Sequence, residues 1–162
     1  MNESENILNQ QAWSYYQVHS EQRLIAANFY ISIASVLAGA LFAVLQSAQT
    51  VRVGALLGVL LIVLSYVFWK WDRRTSDLIK IGEDALKYFE GLSNLQPTGE
   101  EPHVARIFQR EAYLTARQRK KRSIFFWRNY YTYRTCLNLV FISFALAGVL
   151  GAILALTLPI SR

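Results

Sequence analysis

The sequence is poor in the residues from which most catalytic and metal sites are built. It has one cysteine, two histidines and three prolines in 162 residues. Cys136 has no second thiol for an internal disulfide and reads as a small apolar filler. His19 and His103 have no Cys or second His at metal-ligand spacing, and no Arg stands a few residues before either. A Gly-rich phosphate loop and a nucleophile-elbow sequence are also missing. The expectation is a protein without catalytic residues, metal or cofactor. Residues 1–22 contain Glu3, Glu5 and Glu21 but no Lys or Arg, whereas a secretory signal peptide opens on a basic region. The first apolar run is therefore expected to stay in the mature protein.

Charge is absent altogether over residues 24–51, 53–69 and 135–161. A bilayer core needs roughly 20 predominantly apolar residues per helical span, so each run is long enough to supply one. Lipid offers no hydrogen-bond partners, so each span must satisfy its own amide and carbonyl groups as a helix. The fold class is an all-α integral membrane protein: three transmembrane helices with a cytoplasmic helical hairpin between the second and third. Four segments follow. Residues 1–23 form an amphipathic N-terminal arm and residues 24–71 a transmembrane hairpin, with spans at about 24–46 and 53–70. Residues 72–134 form the cytoplasmic hairpin, with its turn at 96–102, and residues 135–160 the third span.

Of the 17 Lys and Arg residues, 14 lie between Lys70 and Arg134, against eight acidic residues there. The positive-inside rule puts that block in the cytoplasm, with the N-terminus also inside and the C-terminus outside. Tyr66, Trp69 and Trp71 at the end of the second span, and Trp127, Tyr130, Tyr131 and Tyr133 at the start of the third, suit the headgroup level on the same side.

Inside the spans, Asp, Glu, Lys, Arg and His are missing, which argues against a transporter or proton pump. Asn28, Ser32 and Ser35 fall at successive turns of one helix face. Three helices cannot enclose an aqueous path, so these residues either line a pore made by several copies or hydrogen-bond between helices, the second being preferred. Gly39 in the first span, Gly54 and Gly58 in the second and Gly148 in the third belong to small-residue rows that bring helices close, within or between chains.

In the cytoplasmic block, Leu78, Ile81, Ala85, Tyr88, Leu92 and Leu95 advance in alternating steps of three and four, the seam of a coiled coil. It pairs either the two helices of one hairpin or neighbouring subunits. Gln96-Pro97-Thr98-Gly99 signals a turn, Pro102 starts the next helix, and Glu100 and Glu101 are first-turn charges there. Arg117, Arg119, Lys120, Lys121 and Arg122 place five positive charges in six residues. They serve topology and anionic lipid contact, or receive a polyanion such as a nucleotide or oligonucleotide signal.

The order of parts completes the picture. Trp13-Ser14-Tyr15-Tyr16 leads through Glu21-Gln22-Arg23 into a membrane hairpin, followed by Trp69-Lys70-Trp71-Asp72-Arg73-Arg74 and cytoplasmic helix. Over roughly residues 12–95 this resembles the SLATT-type small helical membrane effectors of prokaryotic conflict (antiphage) systems. The third span departs from the simplest form of that family. The resemblance implies a homo-oligomeric effector that disrupts the inner membrane, working with a nucleotide-making or nucleic-acid-sensing partner protein, and it carries over no catalytic residues. A non-conducting anchor that recruits a soluble partner needs the same topology.

Overall fold

A computed structural model describes residues 3–46, 51–93, 101–120 and 133–157, without the side chains of 51 and 118–120. Four helices account for almost all of them: α1 (Glu3–Leu45), α2 (Val51–Leu92), α3 (Ile107–Lys120) and α4 (Tyr133–Thr157). No strand occurs among the described residues. Three of the helices, α1, α2 and α4, are long and apolar enough to cross a membrane. α1 has no proline along its length and carries Glu3 and Glu5 in its first turn, where the helix dipole favours negative charge. α4 ends at Thr157, two residues before Pro159.

The chain divides into two compact units: Met1–Glu21 with Thr75–Tyr131, and Gln22–Arg74 with Thr132–Arg162. The N-terminal arm is thus the first half of the long helix α1, and it belongs with Thr75–Tyr131.

The second unit holds three spans around Tyr30, which is fully buried. Ala27, Ala34, Leu61, Phe68, Leu137 and Phe141 complete this core. The rings of Phe141, Phe68 and Phe144 stand 4.7, 5.2 and 5.8 Å from that of Tyr30. α2 and α4 cross at glycines. A Cβ on Gly58 would lie 2.6 Å from the Gly148 carbonyl oxygen, and one on Gly148 would lie 2.7 Å from that of Gly58. Neither position has room for a side chain. Gly54 faces Ala155 at 3.2 Å, and Gly151 lies against Leu41 of α1.

In the first unit, α2 packs against α1 through Gly82, where an added Cβ would come within 3.1 Å of Tyr16 Cβ. α3 joins through Phe108, whose ring meets Tyr16 edge-on at 5.3 Å and Trp13 at 6.3 Å. The buried side of α2 here is Thr75, Ser76, Ile79, Gly82 and Leu86. The sequence places the start of the next helix at Pro102; the structure starts it at Ile107. His103 Nδ1 accepts the Ala105 N–H at 3.2 Å and its carbonyl accepts the Arg106 N–H at 2.9 Å, a local turn that delays the helix.

Candidate functional site

Two polar clusters stand out, one in each unit. In the second unit, Arg23 lies immediately before the first apolar run and Asp72 three residues past the end of the second. Two antiparallel spans adjacent in sequence bring such positions to one level. The guanidinium grips the carboxylate at two points, Nε to Oδ1 at 2.7 Å and Nη2 to Oδ2 at 3.1 Å. Their side chains are 12% and 6% exposed. Tyr133 of α4 offers its ring face to the same guanidinium at 5.0 Å, so one arginine ties three helices. Further in, Ser65 Oγ donates its only proton to the Leu61 carbonyl at 2.7 Å. The 2.9 Å bond between Tyr30 and Ser65 must then run from the Tyr30 hydroxyl to the Ser65 oxygen.

In the first unit, Glu90 of α2 accepts the N–H groups of Phe108 and Gln109 at 2.9 Å each, capping α3 with a full negative charge. Arg106 donates to the Ser93 carbonyl at 2.6 Å, and Gln109 Nε2 to the Lys87 carbonyl at 2.9 Å. These contacts fix α3 onto α2. Burial pushes the Glu83 carboxyl above its ordinary value; Lys87 opposes that shift, and Glu111 and Asp84 add to it.

The residues singled out by the sequence separate by location. Asn28, Ser32 and Ser35 are all exposed within the chain, and the Ser32 hydroxyl bonds back to the Asn28 carbonyl at 2.9 Å. Gly39, on the same side of α1, has nothing within 4 Å of an added Cβ. Gly54, Gly58 and Gly148 instead pack within the chain. Of the seam, Ile81, Tyr88 and Leu92 are exposed, Leu78 and Ala85 are half-buried, and Leu95 lies outside the described residues. Arg117 is exposed and pairs with Glu101 at 3.1 Å. Arg119 and Lys120 lie in the last turn of α3, while Lys121 and Arg122 fall outside the described residues, as do 96–100 of the expected turn. Among the described residues no three His, Cys, Asp or Glu side chains gather as a metal site.

Sequence reasoning missed the Arg23–Asp72 pair and the Glu90 cap. The first had a signal: opposite charges within three residues of the ends of two adjacent antiparallel spans. The second had none, because residues 90 and 108 are joined by a connector whose length alone does not set their contact.

No family model and no solved structure matches the chain. It is similar to the CD-NTase-associated protein 19 of Escherichia coli, with 37% identity over 91 residues. That match covers 56% of this chain and 60% of the length of the curated relative.

Proposed function

We propose that the chain is an oligomeric membrane effector of bacterial antiphage defence, triggered through its cytoplasmic helices to form a pore or perturb the inner membrane. One observation carries this reading: three helices apolar enough to span a bilayer occur in a chain similar to a protein named for its association with a CD-NTase. That association points to a nucleotide-signalling antiphage setting. The SLATT-type order of parts agrees with it. The effector acts as a homo-oligomer, without catalysis or cofactor, in contact with lipid and with a nucleotide or oligonucleotide signal or a nucleic-acid-sensing partner.

The open face of α1 supports assembly between copies. Asn28, Ser35 and Gly39 point away from the chain's own helices. A carboxamide facing hydrocarbon is costly, and it is both donor and acceptor, so the same group on a neighbouring copy can satisfy it. The glycines at 54, 58 and 148 are already used inside the chain. The basic run from Arg117 to Arg122 receives the anionic trigger in this reading.

A second reading, a non-conducting anchor, draws on the exposed Ile81, Tyr88 and Leu92, which suit a soluble partner as well as another copy. Membrane potential separates the two. Cells expressing the chain with its CD-NTase are followed with a voltage-sensitive dye, beside an Asn28→Leu, Gly39→Leu variant shown to insert normally. Depolarisation by the native chain and its loss in the variant support the effector. An unchanged potential in the presence of an active CD-NTase favours the anchor.

A further inference from the structure

Arg110 and Arg117 stand seven residues apart on α3, two helical turns, and so share one face. The carboxylate of Glu101, from the segment before α3, lies between them. Its Oε1 is 3.1 Å from Arg117 Nη1, while its Oε2 is 3.9 Å from Arg110 Nη2. One carboxylate thus serves two guanidinium groups and fully satisfies only one. Arg106, the next arginine towards the start of the helix, is committed to the Ser93 carbonyl.

The geometry points to a phosphate-binding site formed by Arg110 and Arg117 that the chain fills with its own Glu101 carboxylate until a phosphate-bearing anion displaces it. A carboxylate has two oxygens and one charge. A phosphate has three free oxygens and up to two charges, which suits two guanidinium forks that converge on one point. The side chains of Arg117, Arg110 and Glu101 are 56%, 36% and 36% exposed, so solvent weakens the internal pair and leaves it exchangeable. Glu101 therefore sets a threshold: weak anions fail to replace it and multiply charged ones succeed. The site deepens the proposed function and rests on its reading of the cytoplasmic helices as the receiving part.

The test uses the full-length protein in phosphatidylcholine nanodiscs, with inorganic tripolyphosphate as the probe and calorimetric titration as the readout. Glu101→Gln is expected to bind roughly twofold to fivefold more tightly than the native chain, the range set by an exposed ion pair. Arg110→Gln, Arg117→Gln is expected to bind roughly tenfold more weakly. A Glu101→Gln affinity equal to the native one overturns the proposal, and a gain in binding cannot arise from misfolding. Binding unchanged in the double arginine variant overturns it equally. Nanodiscs that contain phosphatidylglycerol distinguish the source of the phosphate. If they suppress tripolyphosphate binding to the native chain, a lipid headgroup occupies the site; if they do not, the occupant is soluble. A chain that binds in the expected pattern yet leaves the membrane potential unchanged keeps the site and removes the effector reading.

Discussion

Arg23 and Asp72 form a two-point ion pair, at 2.7 and 3.1 Å, between residues that are among the least exposed charges described. Removing one partner strands the other. Asp72→Ala is expected to cost about 3–5 kcal/mol, as for a buried pair broken on one side. Arg23→Met with Asp72→Leu is expected to recover most of that loss, because no charge is then left without a partner. Denaturant titration of the purified chain in micelles measures both. Equal losses in the single and double variants would show that packing, not charge, is at stake.

The Tyr30–Ser65 bond is asymmetric. Tyr30→Phe leaves Ser65 bonded to the Leu61 carbonyl and is expected to cost about 0.6–1.7 kcal/mol. Ser65→Ala leaves a buried phenol without its acceptor, and an expected cost of about 1–3 kcal/mol follows. The same titration ranks the two, and a larger loss for Tyr30→Phe would reverse the assigned proton direction.

Gly58 and Gly39 are expected to respond in opposite ways to an added methyl group. Gly58→Ala pushes a Cβ against the Gly148 carbonyl and is expected to cost about 1–3 kcal/mol. Gly39→Ala meets nothing within the chain and is expected to change the stability of the isolated chain by less than about 1 kcal/mol. Crosslinking in membranes then asks whether Gly39→Leu lowers the oligomer yield while leaving the single chain folded.

Glu83 gives the first unit a pH dependence. Its folded-state pKa is raised, chiefly by burial, so the fold favours the protonated form. Its contribution to stability is fully present below the ordinary glutamate pKa and is lost as pH rises through the raised folded value. Glu83→Gln is therefore expected to be more stable than the native chain at neutral pH, with a flatter dependence through the mildly acidic range. Thermal melts at several pH values check it; a Glu83→Gln chain less stable at neutral pH would overturn the sign.

Ile81 and Leu92 are exposed, so Ile81→Asp with Leu92→Asp is expected to leave the single chain folded. If the stripe joins copies or a partner, the complex recovered from membranes falls severalfold. An unchanged complex would leave the stripe without a role in assembly.

The spans were legible because lipid imposes a plain rule, and long runs without charge obey it. The packing of the first unit was harder to read. α2 carries two stripes with the same spacing, and the one buried in the chain contains Thr75, Ser76 and Gly82, which no count of apolar residues favours. The more visible stripe, with Ile81, Tyr88 and Leu92, faces outward. The N-terminal arm looked separate because its polar residues hide two contacts, Trp13 and Tyr16 with Phe108. Of the candidate signal site, Arg117 was visible in the basic run, whereas Arg110, seven residues earlier, was not singled out. Glu101 was read as a helix-start charge because Pro102 suggested an earlier start to α3.

The Gly58–Gly148 crossing bears on how the protein is made. α2 leaves the ribosome well before α4, and at about 5–20 residues per second the gap is several seconds. Until α4 arrives, the bare backbone at Gly58 has no helix to cover it, and Tyr30 lacks the rings of Phe141 and Phe144. Insertion of the last span is therefore the step that completes the core, and a nascent chain stalled before residue 133 holds a hairpin whose groove only lipid can fill.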